Sequence, residues 1–322
     1  MELIAGDIGG TKCRLAWVTG ETGGTQQLRF EREYPSAAFA TADDLIRQFV
    51  ADAGLPVSPD GLLLALPGPM QAQHTALTNL DWVLDASDMR ATLGLSSVRF
   101  INDFQAAAAG VAMLGAADVV ALNSQPAEPQ GVRAITGAGT GLGLAFMLAE
   151  GGGRYRNYAS EGGHIDFAPA KHRQARLLDG LRATYGHVSW ERVASWLAMN
   201  DLYRFCCVEQ NAALSNETVD GAALVTRAES GDPAAGAALD LFIDLYGAWV
   251  GNVALLMQPR GGLYVAGGIA AHLQSRMQSP RFMAAATDKG RMRSVVERTP
   301  IFLVTNMRLG VLGAIATAFA PL

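Results

Sequence analysis

The chain has 322 residues, half of them hydrophobic and 17% charged, enough for about two domains around a large buried core and too apolar for disorder. Its 25 Lys and Arg against 30 Asp and Glu leave a net charge of −5, which argues against nucleic acid or an anionic membrane as the main partner. The cysteines, Cys13, Cys206 and Cys207, form neither a disulfide framework nor a metal-ligand spacing, so a reducing, cytoplasmic setting is expected. The chain opens on strand-like residues with no basic leader. Its longest uninterrupted apolar run, residues 311–322, is too short to cross a bilayer.

Taken in chain order, strands and helices alternate, which predicts an α/β fold. Leu3-Ile4-Ala5 and Leu15-Ala16-Trp17 predict two strands joined by a glycine turn, with a third strand over residues 28–34. Thr41-Ala42-Asp43-Asp44 predicts a helix cap and first turn leading into a helix over 45–53. The apolar run 62–66 predicts a buried strand that breaks at Pro67-Gly68-Pro69. A strand over 98–101 runs into Asn102-Asp103 and then into an alanine-rich helix over 104–114. From residue 115 the pattern restarts, with strands near Val119, Ala134 and Leu144 and then helices. Asp232-Pro233 caps and starts a long helix to Met257. A strand over 263–266 ends at Gly267-Gly268, and a last strand over 301–304 leads into an apolar helix from Leu309.

Two glycine turns stand out in this order, GDIGGTKCR at residues 6–14 and TGAGTGLGLA at residues 136–145. Glycines at a hairpin tip let backbone N–H groups approach an anion closely, because no Cβ is in the way. Thr11 and Thr140 each add a hydroxyl. Two such turns in equivalent places of two halves suggest a nucleotide polyphosphate clamped between two domains. Neither turn fits G-x-x-x-x-G-K-[ST] or the G-x-G-x-x-G of a dinucleotide fold. For either turn alone, an ordinary hairpin is the competing reading.

Further motifs, in order, are ALPGP at 65–69 with TNLDW at 78–82, INDF at 101–104, SEGGHIDFAP at 160–169, GHVSWERV at 186–193, VAGGI at 265–269, DKGRM at 288–292 and LGVLGA at 309–314. With the two glycine turns, this ordered set resembles the bacterial ATP-dependent glucokinases, members of the actin, heat-shock chaperone and sugar-kinase superfamily, nearly end to end. The resemblance implies a two-domain actin-like ATPase (ribonuclease H-like) α/β fold with a cleft between a small and a large domain. The small domain is expected at residues 1–112 plus 306–322, the large one at 113–305. The implied reaction moves the γ-phosphoryl of ATP to the 6-hydroxyl of D-glucose. The implied nucleotide contacts are Gly6, Asp7, Ile8, Gly9, Gly10, Thr11, Gly137, Gly139, Thr140, Gly141, Gly267 and Gly268. A homodimer is the family expectation.

The chemistry can be argued beside the resemblance. Phosphoryl transfer to an alcohol needs a positioned hydroxyl, a phosphate cradle, Mg²⁺ and a base. Asp103, where a strand gives way to a helix, is the expected base; the plainer reading is a helix cap. Asn102 beside it is expected on neighbouring sugar hydroxyls. Asp7 is expected to hold Mg²⁺ through water, since Mg²⁺ takes oxygen ligands and dehydrates reluctantly; its alternative is a turn Asp bonded to its own loop. Lys12 reads as a solvated surface residue rather than a phosphate ligand. Glu161 and His164, on a glycine-relieved turn, offer a carboxylate and an imidazole to three sugar hydroxyls, against a plain buried histidine. Only Glu161, His164 and Asp166 cluster there, too few for zinc. Glu191 follows Ser189 in an expected first helical turn, where the dipole alone favours Glu, and its sugar role rests on the resemblance. The family continues here into Ser-Gly-x-Gly, whereas this chain reads Ser195-Trp196-Leu197-Ala198. A kinase for another hexose or an amino sugar is the alternative on the same fold. A sugar-sensing regulator would carry a DNA-binding segment before the first turn, and a chaperone or filament protein would lack the NDF and EGGH residues.

Overall fold

A computed structural model describes residues 1–54, 59–68, 73–77, 80–213 and 218–320. Pro69, Thr78 and Asn79 of the ALPGP and TNLDW motifs lie outside these described residues. The chain divides into two compact units. The first comprises Met1–Ala117, Asn157–Ala159 and Asn306–Leu322, and the second Asp118–Arg156 and Ser160–Thr305.

In the first unit, β1 (Glu2–Ile8), β2 (Lys12–Gly20) and β3 (Gln26–Pro35) form an antiparallel meander. After α1 (Ala42–Ala53) comes β4 (Gly61–Leu66), then a small hairpin of β5 (His74–Ala76) and β6 (Val83–Asp85). Helix α2 (Ala86–Leu93), strand β7 (Ser97–Asn102) and helix α3 (Asp103–Gly110) follow. The sheet order is β3-β2-β1-β4-β7, with β4 parallel to both β1 and β7. Strand alternation sends the two faces to different cores. Ile4 and Ile8 pack with Leu45, Ile46 and Phe49 of α1, whereas Leu3 and Ala5 pack with Val311, Ala314 and Ile315 of the C-terminal helix Leu309–Ala318. Strand β4, GLLLAL, is buried at every position, as a central parallel strand covered on both faces must be.

Local signals set the helix starts. The Thr41 Oγ1 accepts the Asp44 N–H at 3.1 Å, and α1 ends at Gly54 in the left-handed region. Asn102, not Asp103, is the cap of α3: its Oδ1 accepts the N–H groups of Phe104 and Gln105 at 2.9 and 3.1 Å. Asp103 is the first helical residue. Helix α3 stops at Gly110 and tightens into a 3₁₀ turn over Val111–Met113, short of the expected residue 114. The helix also makes a close crossing. A Cβ on Gly110 would overlap the Leu309 carbonyl of the C-terminal helix, and one on Gly313 would overlap the Ala106 carbonyl of α3.

The second unit begins with β8 (Val119–Ala121), β9 (Arg133–Ala138), β10 (Leu142–Gly151) and β11 (Arg154–Ser160), the last counted with it except for residues 157–159. Helices α4 (His172–Tyr185), α5 (Ala198–Glu209), α6 (Gly221–Glu229) and α7 (Pro233–Met257) lead to β12 (Gly262–Ala266). The short helices α8 (Gly268–His272), α9 (Gln274–Met277), α10 (Pro280–Thr287) and α11 (Arg293–Glu297) precede β13 (Ile301–Val304). The sheet order is β11-β10-β9-β12-β13-β8. Its centre repeats the first unit: an antiparallel hairpin, β9–β10, whose first strand pairs in parallel with a later strand, β12. Helix α7 is capped by Asp232 and started by Pro233, as expected. It is long and apolar enough to cross a membrane, but 72% of its most apolar window is buried inside the structure, which makes it the core helix of this unit.

The α3 crossing makes a stability prediction. Gly313→Ala should cost about 1–3 kcal/mol, because backbone rather than a flexible side chain must yield. Gly236→Ala in α7, where a Cβ meets nothing within 4 Å, should instead stabilise by about 0.5–1 kcal/mol. Urea denaturation of both variants measures the contrast.

Candidate active site

In the first unit the 6–14 segment forms the β1–β2 hairpin, and the two strands bracket Gly9, Gly10 and Thr11. Gly9 N–H donates to the Lys12 carbonyl at 2.9 Å. The buried Ser36 braces the turn from behind, its Oγ donating to Gly9 O at 2.7 Å and its N–H to Thr11 O at 3.0 Å. Gly6 and Ile8, expected as nucleotide contacts, lie buried inside the sheet; a Cβ on Gly6 would press into Leu15 and Leu64. Their place is packing. Lys12 is the solvated residue expected, ion-paired with Glu33 at 2.8 Å.

Asp7, next to last in β1, carries a crowded carboxylate. Gly310, in the first turn of the C-terminal helix, lies so close to its carboxylate that a Cβ there would force the Asp7 side chain to move. Burial pushes the Asp7 pKa up to about 6, against the opposing pull of Arg14. Arg14 is itself held by Glu31 at 3.1 Å and Glu33 at 2.5 Å, and Glu31 also takes the Arg308 guanidinium. Among the described residues no group of three or more His, Cys, Asp and Glu side chains is arranged to hold a metal. A single crowded carboxylate is a donor set for a cation that keeps most of its waters and phosphate ligands, as Mg²⁺ does. Asn102 spends its Oδ1 on the α3 cap and donates from Nδ2 to Gly68 O at 3.2 Å. Asp103 is half-buried beside it, with Oδ1 accepting the Phe104 N–H at 2.8 Å.

In the second unit, the β9–β10 turn carries Gly139, Thr140 and Gly141, with Gly139 N–H donating to Gly141 O at 2.9 Å. Gly137 lies buried in β9 between Gly143 and Ala266 and, like Gly6, is a packing residue. Glu161, His164 and Glu191 converge beside this turn. His164 Nε2 lies 3.9 Å from Oε2 of both Glu161 and Glu191. The Glu191 Oε2 accepts the Leu142 N–H at 2.9 Å, and a Cβ on Gly141 would overlap that same oxygen. The second glycine turn and the three polar side chains are therefore one structure. His164 is exposed, at 59% of its side chain, so the buried-histidine reading falls.

Glu191 does not start a helix. It sits in a turn, its N–H donating to Gly163 O at 2.9 Å and its carbonyl accepting the Ser195 Oγ at 2.7 Å. These tertiary bonds displace the helix that Ser189 suggested. The divergent Ser195-Trp196 stretch attaches here too: Trp196 N–H donates to Gly139 O at 2.9 Å, and its indole packs edge-on against His272 of α8. Sequence reading found neither Ser36 nor Gly310; the Gly in LGVLGA was the only signal for the latter.

A family model described as Glucokinase matches residues 4–320. The chain belongs to the glucokinase family. It is similar to a glucokinase of Synechocystis sp., 39% identical over 347 aligned residues covering 99% of this chain and 98% of the relative. A crystal structure of a glucokinase from an Antarctic psychrotroph matches with a TM-score of 0.82 at 29% identity, covering 98% of both chains. A glucokinase of Balamuthia mandrillaris in complex with glucose shares the fold, with a TM-score of 0.80 at 22% identity over 98% of this chain and 93% of that one. The fold is thus the two-domain actin-like kinase fold, and the chain phosphorylates glucose with ATP as donor.

Asp7 makes a pH prediction. Between its ordinary pKa of 3.8 and about 6, the folded protein holds this proton more tightly than the unfolded chain. Stability contributed by protonated Asp7 is therefore lost as pH rises through that window and stays lost above it. Asp7→Asn should raise the Tm of the ligand-free protein at pH 7.5, with the gain shrinking toward pH 4, while lowering activity. Calorimetry across pH, paired with an activity assay, checks both halves.

Proposed function

We propose that Asp103 accepts the proton of the glucose 6-hydroxyl as the γ-phosphoryl of ATP is transferred, giving glucose 6-phosphate and ADP. Glu161, His164, Glu191 and the remaining amide hydrogen of Asn102 bind the other sugar hydroxyls. The observation that carries this reading is the convergence of Glu161, His164 and Glu191 beside the second glycine turn. An ionised carboxylate accepts from two adjacent hydroxyls, and an imidazole both donates and accepts, so the trio can read hydroxyl stereochemistry. The bond from Leu142 N–H holds Glu191 in place before sugar arrives, which limits the ordering cost of binding.

The ATP phosphates are assigned to the backbone of Gly9, Gly10 and Thr11, of Gly139, Thr140 and Gly141, and of Gly267 and Gly268. Asp7 would hold Mg²⁺ through water, and the ion would supply positive charge against that on the phosphoryl oxygens. Asp103 stands at the first position of α3, where its carboxylate meets the positive end of the helix dipole. The same reading carries a cytoplasmic homodimer, which sedimentation of the purified protein tests.

Two measurements test the assignment. In a coupled ADP-release assay across hexoses, glucose should show the highest kcat/KM; a tenfold preference for mannose, fructose or N-acetylglucosamine would transfer the site to another sugar. Asp103→Asn keeps shape and hydrogen-bond reach but cannot accept the proton, so kcat should fall about 10²–10⁴-fold with little change in glucose affinity. A kcat retained within about threefold would remove Asp103 from the reaction, being below the smallest general-base effect.

A further inference from the structure

Helix α7 carries two fully buried aromatic side chains one turn apart, Tyr246 and Trp249. Both have polar atoms, and both spend them on the sheet. Trp249 Nε1 donates to Thr136 Oγ1 at 2.8 Å, and that hydroxyl donates to Gly143 O at 2.7 Å, tying the body of the β9–β10 hairpin to the helix. Tyr246 reaches further along the strand. Its hydroxyl accepts the Ala138 N–H at 3.1 Å and lies 3.5 Å from the Ala266 carbonyl.

These two residues are the last of β9 and of β12. Ala138 immediately precedes Gly139-Thr140-Gly141, and Ala266 immediately precedes Gly267-Gly268. The parallel ladder between the two strands ends at Gly137 and Ala266, so the buried Ala138 N–H finds its partner in the phenol instead. The two turns also touch directly: Gly267, at a φ of +95°, brings its α-carbon so close to the Ala138 carbonyl that a Cβ would lie 2.5 Å from it. Ala138 is thus gripped from below by Tyr246 and from beside by Gly267.

We propose that Tyr246 is a positioning residue for the nucleotide: its single hydroxyl holds the 138–141 turn and the 267–268 turn in fixed relation, so that their backbone amides meet the phosphates without rearrangement. The proposal rests on the reading that these turns bind ATP. The phenol touches no reacting atom. Burial pushes its pKa far above the usual tyrosine range, so it remains a neutral hydroxyl at every working pH. Removing it leaves a buried N–H without a partner at the residue where the turn leaves β9, which loosens the turn at its base.

Tyr246→Phe deletes one oxygen and keeps the ring, and Trp249→Phe deletes a bond from the same helix face that does not reach the turn. Both should lower Tm. Only Tyr246→Phe should raise the KM for ATP, by about 5- to 10-fold, the equivalent of one net hydrogen bond, with the KM for glucose within about twofold. An ATP KM that changes equally in the two variants overturns the proposal, because both bonds would then be merely structural. If Tyr246→Phe does not fold, amide exchange in the unaltered protein decides: Ala138 should open only with global unfolding, and local opening faster than at Ile135 overturns the proposal. Exchange with and without a non-hydrolysable ATP analogue separates the two readings. Absence of added protection at 139–141 overturns the ATP assignment itself, whereas protection there with an unmoved ATP KM in Tyr246→Phe overturns only the role of Tyr246.

Discussion

Each unit is organised by a hairpin whose first strand is hydrogen-bonded on both edges: β1 between β2 and β4, β9 between β10 and β12. A strand paired on both sides cannot slide without inverting its side chains between two faces, and in both units those faces are buried. The turn at the end of such a strand is therefore held at a fixed point by the whole sheet. Glycine at Gly9-Gly10 and at Gly139 and Gly141 leaves that fixed point with exposed backbone instead of side chains. Asp7 is attached to the first of these turns by chain adjacency and Glu191 to the second by a bond from Leu142 N–H.

Around this frame the polar groups are costly, and the structure offsets the cost unevenly. Glu191 receives a backbone N–H and keeps company with an exposed imidazole. Asp7 is crowded by Gly310 and left with a distant attraction to Arg14, so its ionised form is disfavoured. Under the proposed function, the positive charge that this carboxylate lacks would arrive with the bound cation. The Arg14, Glu31, Glu33 and Arg308 network beside it ties the β2–β3 edge to the segment entering the C-terminal helix, which in turn presents Gly310 to Asp7.

The core helix α7 shows how the interior reaches the surface chemistry. It is apolar almost throughout, yet its two buried aromatics with polar tips point at the base of the glycine hairpin. A buried polar group must be paired, so each such bond fixes a distance between helix and strand that apolar packing alone leaves adjustable. The backbone N–H of Trp196 adds a further bond, to the Gly139 carbonyl.

What the sequence determined by itself was local. Caps at Thr41 and Asp232, the apolar runs of β1 and β4, and the glycine turns are properties of neighbouring residues, and they appear where the pattern put them. The ordered motifs also marked the family. Tertiary structure decided everything that depends on a partner distant in the chain. Glu191 looked like the start of a helix until Gly163 and Leu142 claimed its amide and carboxylate. Asn102 took the cap that Asp103 was offered, since both residue types cap well and only the path of the chain selects one. Helix α3 carries Gly110 because the C-terminal helix, two hundred residues on, lies too close there for a Cβ. Gly6 and Gly137, which read as phosphate contacts, are sheet glycines, for a glycine that meets a ligand and one that meets a neighbouring strand look the same in sequence.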